Sequence, residues 1–243
     1  MIETGLRVLI GCERSGVIRR EFERLGHDAW SCDFAPAEDG SNRHLRCDVR
    51  EAIHMDFDLL ALFHTPCPML CNSGAKHLYI GCKKENGRNE ARFEAMEEAA
   101  ALYRYCRDEG DIPCRAMENP VMHRHAIVAT GRGYTQFVHP YFFGDPFFKL
   151  TGFELVNLPD LVPTNMLPPP SPGTEEHKAW SACHRAPPGP NRSIDRSRTY
   201  PGIATAIAKQ WGDHALAIKH GLAPRPTPGA GQQPDLFAER VAA

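Results

Sequence analysis

Arg7-Val8-Leu9-Ile10, then Gly11-Cys12-Glu13-Arg14-Ser15-Gly16, then a helical pattern through Phe22 to Leu25, is the stretch that decides the fold. A short apolar run bounded by a glycine-rich turn and followed by helical periodicity reads as buried strand, loop and helix. Gly26 ends that helix. Working outward, His27 to Cys32 is a second strand stopped by Asp33, and a third short strand ends near Asp48. Leu59 to Phe63 is a fourth strand and delivers Thr65-Pro66-Cys67. Asn89 to Arg107 is a helix with Phe93, Met96, Ala100, Tyr103 and Cys106 on one stripe. Pro113 to Met117 is a fifth strand and delivers Glu118. Strands alternating with helices predict an α/β fold with a doubly wound, mainly parallel, Rossmann-like sheet. Ligands of such sheets sit beyond the carboxyl ends of the strands. Asp33, Asp48, Cys67 and Glu118 are all expected at that edge.

The remainder has a different texture. Phe137 to Phe153 is aromatic and reads as one or two strands with a turn at Gly144-Asp145-Pro146. Pro159 to Pro190 is dense in proline and reads as a long irregular connection. A helix from about Gly202 to Trp211 follows, and the prolines and glycines after Gly221 cannot build a core. The division expected is one catalytic domain over 1–220, with a proline-rich insertion at about 156–198, and a structureless tail over 221–243. A hydrophobic content of 42% and a charged content of 24% are those of a globular protein. A net charge of −2 argues against indiscriminate coating of nucleic acid and leaves room for a local basic face. No apolar run reaches the roughly 18 residues of a membrane span, and Met1 to Leu6 has no signal pattern. Nine irregularly spaced cysteines predict a reducing, cytoplasmic setting rather than a disulfide framework.

The chemistry lies in two short steps. Residues 63–74 read Phe-His-Thr-Pro-Cys-Pro-Met-Leu-Cys-Asn-Ser-Gly, and further on comes Met117-Glu118-Asn119-Pro120. Carbon 5 of cytosine is a poor nucleophile. A thiolate adding to carbon 6 turns the ring into an enamine that can attack a methyl sulfonium. A carboxyl group hydrogen-bonded to the ring nitrogen stabilises that adduct by supplying or sharing a proton. A cysteine after a buried strand is by itself most often a core residue; paired with Glu118-Asn119, Cys67 reads as the nucleophile. Cys71 is the rival, without a preceding proline. Asn119 is expected to orient the loops around Glu118.

These residues resemble the DNA cytosine-5 methyltransferases, in particular the small phage-type members, over roughly residues 6 to 212. Gly11 to Gly16 resembles the first motif, Thr65-Pro66-Cys67 the nucleophile motif, and Glu118-Asn119-Pro120 the Glu-Asn-Val motif. Thr199 to Trp211 resembles the last motif, whose helix packs beside the first. The resemblance implies an S-adenosylmethionine-dependent methyltransferase fold. It puts Gly11, Cys12, Glu13, Ser15, Gly16, Asp33, Phe34, Asp48, Val49 and Pro66 around the cofactor. It implies double-stranded DNA as partner, with the target base extruded from the stack, and a monomer in a bacterial or phage-infected cell. Gln136, His139 and Lys149 stand where the family has Gln-x-Arg-x-Arg. Only Leu155 to Ser197 is available for target recognition, so a very short target is expected. The same chemistry on RNA or a free pyrimidine nucleotide, or a non-catalytic DNA-binding module of this fold, are the alternatives.

Other residues complete the reading. Lys76, His77, Lys83, Lys84 and Arg88 follow the nucleophile in an expected loop, and Arg185, Arg192, Arg196 and Arg198 form a second basic group. Both groups suit phosphate contact and equally suit a solvated surface. The Cys67/Cys71, His123/His125 and Cys183-His184 spacings lack the paired short pattern of zinc sites, so no metal is expected. In the tail, Gln233, Asp235, Leu236 and Phe237 resemble a short peptide that docks on the bacterial sliding clamp, two apolar anchors on a flexible tether.

Overall fold

A computed structural model describes residues 5–62, 67–131, 133–185 and 199–223, with Leu62, Cys67 and His184 described by backbone alone. Among these, seven strands form one sheet in the order β3-β2-β1-β4-β5-β7-β6. The strands are β1 (Arg7–Gly11), β2 (Asp28–Cys32), β3 (His44–Leu45), β4 (Leu59–Leu62), β5 (Cys114–Asn119), β6 (Gln136–Val138) and β7 (Thr151–Val156). The first five are parallel, and β7 runs antiparallel to both β5 and β6. This is the expected Rossmann-like, doubly wound, mainly parallel sheet.

Strand alternation sorts the core onto two faces. Val8, Ile10, Leu59, Ala61 and Ala116 pack with Ile18 and Phe22 of α1 (Val17–Arg24) and with Ile203, Ile207 and Trp211 of a carboxyl-terminal helix. Leu9, Leu60 and Met117, one residue out of phase, pack with Phe93, Met96, Ala100 and Tyr103 of α4 (Glu90–Asp108). The stripe read from the sequence is therefore the buried face of α4, and Asn89 caps that helix by accepting from the Arg92 N–H.

Several boundaries differ from expectation. β3 ends at Leu45, and Asp48 is instead the cap of a one-turn helix, α2 (Val49–Ala52), accepting from the Arg50 N–H. The chain after β4 is not a plain loop. It forms α3 (Cys67–Leu70) and then 3-10 turns over Asn72–Leu78, Ile80–Cys82 and Lys84–Asn86. A further helix, α5 (Arg124–Thr130), follows β5. The proline-rich segment contains α6 (Glu175–Trp180) and α7 (Ala182–Arg185). The last helix, α8 (Pro201–Lys219), runs past Trp211. Gly212 lies inside α8. A Cβ there would sit 3.2 Å from the His27 Nε2 and 3.3 Å from the Phe22 ring, so glycine lets α8 lie close on α1. Residues 224–243, with Gln233, Asp235, Leu236 and Phe237, lie outside the described residues, as do Pro66, Arg192, Arg196 and Arg198.

Candidate active site

The parallel pairing lines up five strand ends. Leu45, Cys32, Gly11, Leu62 and Met117 stand in register across β3, β2, β1, β4 and β5. Asp33, Cys12 and Glu118 are each one residue beyond this row. With strands about 4.8 Å apart, Asp33 and Glu118 are separated by three spacings, roughly 14 Å. That span accommodates a nucleoside-sized ligand at one end and a reacting base at the other. α3, with Cys67 as its first residue, follows β4 between them.

The turn after β1 is tight. Cys12 takes a left-handed φ of 56°, and Gly16 caps α1 with a φ of 67°. Glu13 is fully buried, and its Oε1 accepts from the Ser15 hydroxyl at 2.6 Å and the Ile18 N–H at 3.3 Å. Burial raises its pKa, with Ser15 and the Ile18 and Val17 amides pulling the other way. The Glu13 side chain, expected at the cofactor, is turned inward as a cap of α1.

Asp33 is half-buried and accepts from the Ala35 N–H at 2.9 Å through Oδ1. Phe34 beside it is 73% exposed, a large apolar ring at the edge of the sheet. Asp48 lies in the same region, but Arg50 engages both of its oxygens, and that hydrogen bond is the main cause of its lowered pKa. The Val49 side chain is buried in the core with Leu9 and Cys32. Asp33 and Phe34 thus fit a ribose and an adjoining flat ring, whereas Asp48 is already paired.

Glu118 is 2% exposed and shares the strand face of Cys114 and Ala116, toward the start of α8. A small pocket opens beside it, lined by Lys149, Thr151, Thr199 and Tyr200 and floored by Phe153 and Ile203. Tyr200 stacks on Phe147 with ring centres 4.6 Å apart. Burial above all, then Cys183 and Asp145, push its phenol up to about 12, so it stays a neutral hydroxyl. Asn119 is fully buried at the end of β5, opposite Gly152 of β7.

Two cysteines are held as thiols. Burial is the first cause of a strongly raised Cys12 pKa, and it pushes Cys106 up to about 12. Cys71 is buried and its sulfur lies 3.0 Å from the Ser73 hydroxyl.

The other expected contacts divide. Lys149 reaches the pocket. Gln136 does not: its side chain donates to the Leu161 carbonyl at 2.7 Å and accepts from the Leu161 N–H at 2.8 Å, pinning the connection after β7. His139 stacks on Tyr141 at 5.1 Å within an aromatic group that includes Phe142 and Phe148. Lys76, Lys83, Lys84 and Arg185 are exposed. Arg88 lies over the Phe93 ring at 3.8 Å and pairs with Glu90. No cluster able to hold a metal ion occurs among the described residues, and no helix there is long and apolar enough to cross a membrane.

Arg115, which sequence reasoning passed over, and His123, which it weighed only as a metal ligand, each hold several backbone groups. Arg115, buried on β5, donates to the carbonyls of Ile112, Cys106 and Arg107 at 2.8, 3.0 and 2.9 Å, and also to those of Glu109 and Gly110. His123 caps α5 and bonds to α3. Neither carries a periodic signal, because their partners are backbone carbonyls.

No family model matches the chain, and no curated protein is similar to it. Among solved structures, the chain is similar to a provisionally named DNA modification methyltransferase encoded within a prophage (E. coli). The identity is 15%, the match covers 68% of this chain and 52% of that one, and the TM-score is 0.42. The chain thus spans about half the length of that structure.

Proposed function

We propose that this protein methylates carbon 5 of cytosine in DNA at a short target, with S-adenosylmethionine as cofactor. The observation that carries the reading is the adjacency of β4 and β5. They are parallel neighbours, so the chain that leads on to α3 and the end of β5 that carries Glu118 leave the same edge of the sheet. The segment after Asn119 runs back along α3, with the Asn72 N–H donating to the Val121 carbonyl at 2.8 Å and Cys71 bridging to Met122. A cysteine nucleophile and an acid in that relation, resembling the two motifs of cytosine-5 enzymes, suit addition to a pyrimidine ring.

Each residue then has a role. The Cys67 thiolate adds to carbon 6, and the Glu118 carboxyl group shares its proton with ring nitrogen 3, so the charge pushed into the ring is held there. Carbon 5 becomes nucleophilic. The bound cofactor supplies an electrophilic methyl group on a sulfonium. Loss of the carbon 5 proton to a base then expels the thiolate and restores the aromatic ring. Asn119 holds the end of β5, Lys149 and Thr199 border the small pocket beside Glu118, and Asp33 with Phe34 would hold the nucleoside end of the cofactor. The target base must leave the stack to reach this edge, and Lys76, Lys83 and Lys84, which are exposed, would contact phosphates.

The test offers methyl-labelled cofactor to duplex DNA, transfer RNA and deoxycytidine monophosphate in parallel, with digestion of whichever becomes labelled. Label recovered as 5-methylcytosine from DNA is the expected result. Label confined to RNA or to the free nucleotide moves the substrate class, and label on an exocyclic amine overturns the chemistry.

A further inference from the structure

α3 is a single turn, Cys67–Leu70. Helix nucleation is unfavourable by a factor of about a thousand, so one turn does not hold itself in place. Its last carbonyls have no partners within the helix and must find them elsewhere. Here each is taken by a donor from outside the turn. The Arg92 guanidinium, from the first turn of α4, donates to the Pro68 carbonyl. The His123 ring lies 2.9 Å from the Met69 carbonyl through Nε2, and the His123 backbone N–H donates to the Leu70 carbonyl at 3.0 Å.

The tautomer follows from the network. His123 Nδ1 accepts from the Ala126 N–H at 3.0 Å as the cap of α5, so the ring proton is on Nε2 and is donated to Met69. The ring is 4% exposed, which removes water as an alternative partner. The fit around α3 is close: a Cβ at Gly74 would lie 2.1 Å from the Pro68 carbonyl oxygen. His123 also stands on the segment leaving β5, the strand that carries Glu118.

We propose that His123 and Arg92 are positioning residues, which hold the carboxyl end of α3 and thereby set where Cys67 stands relative to Glu118. The proposal rests on Cys67 being the nucleophile. His123 carries the larger share, since it ties α3 to the β5 side at two carbonyls, while Arg92 fixes the first carbonyl from the α4 side.

Substitutions separate the two jobs of the ring. His123→Asn keeps an oxygen for the Ala126 N–H, so α5 remains capped, but its side chain is too short to reach Met69. Arg92→Met keeps the stem and removes the donor, and Arg92→Lys restores a single donor. The assays are methyl transfer to duplex DNA, cofactor binding by calorimetry, urea denaturation, and the rate at which iodoacetamide alkylates Cys67, followed by peptide mass spectrometry. Misplacing a reacting group by about 1 Å costs up to about 100-fold in rate, so His123→Asn is expected to lower kcat by about 30-fold or more. Cofactor affinity should stay near wild type, the urea midpoint should fall only by the small amount that one lost hydrogen bond to the Met69 carbonyl costs, and Arg92→Lys should recover most of the rate lost in Arg92→Met. A His123→Asn enzyme keeping more than about a third of wild-type kcat, or losing cofactor binding and stability in step with rate, overturns the proposal. If Cys67→Ser remains active, the assignment of the nucleophile fails instead. The alkylation rate then decides alone: a change of about fivefold or more at Cys67 in His123→Asn supports the clamp, and an unchanged rate refutes it.

Discussion

Replacing Arg115 by methionine should destabilise the protein by an amount that its hydrogen bonds allow to be worked out. The guanidinium collects the free carbonyls where α4 ends and the chain turns into β5. Burial lowers its pKa, so holding the charge there is costly in itself. Methionine fills the space of the stem and leaves three inner carbonyls, those of Cys106, Arg107 and Ile112, without their donor. An unpaired buried acceptor costs about 1–3 kcal/mol, or roughly 3–9 kcal/mol for three. Removing a buried charge returns a few kcal/mol. The net loss is about 3–5 kcal/mol. For a protein of this size each kcal/mol moves the Tm by about 2–4 °C, so the expected drop is about 10 °C. Circular dichroism melts and urea titrations measure both quantities. A loss below about 1 kcal/mol, with an unchanged urea slope, would mean that water replaces the guanidinium freely and that Arg115 does not organise this corner.

Other outcomes are equally specific. Cys71→Ser should keep a measurable methyl-transfer rate, because Cys71 stands at the far end of α3; complete loss of turnover would put Cys71 into the chemistry. Bisulfite mapping of treated plasmid DNA should show a target of about two to three base pairs, since each base-reading pair contributes only about 1–3 kcal/mol and few side chains are available to supply it; a single six-base palindrome would contradict this. The stability gap between wild type and His123→Asn should shrink as pH falls. Burial chiefly lowers the His123 pKa from the ordinary 6.5, with His125 and Arg92 acting in the same direction and the Met69 carbonyl opposing. The unfolded chain therefore binds the proton first, and the stabilisation, complete above the ordinary pKa, is lost as pH drops below it. Urea midpoints at neutral and mildly acidic pH check this, and a gap that widens in acid would refute the assigned tautomer.

What could be read from the sequence was the part with a period. Val8 and Ile10 alternate with Leu9, and Phe93, Met96, Ala100 and Tyr103 recur at helical spacing, so the strands and α4 were legible and both faces of the sheet followed. The carboxyl-edge placement of Asp33 and Glu118 came with the strand order. One-turn elements such as α2 and α3 were not legible, because four residues hold no period and their partners are distant. The same is true of Arg115, Arg92 and His123, whose acceptors are backbone carbonyls that any sequence would supply. Asp48 and Gln136 were assigned to ligands by the family resemblance, and in the fold their polar groups are engaged locally, by Arg50 and by Leu161.

The most direct test of cytosine-5 methylation through Cys67 is covalent trapping on DNA. Duplex DNA containing 5-fluorocytosine at the mapped target is incubated with the protein and S-adenosylmethionine, denatured, and digested for mass spectrometry. Fluorine on carbon 5 cannot leave as a proton does, so the adduct should persist in denaturant, with the nucleotide attached to the peptide that contains Cys67. Cys67→Ala should form none. A wild-type protein that methylates the DNA without trapping, or an adduct that survives in Cys67→Ala or maps to another cysteine, would contradict the mechanism.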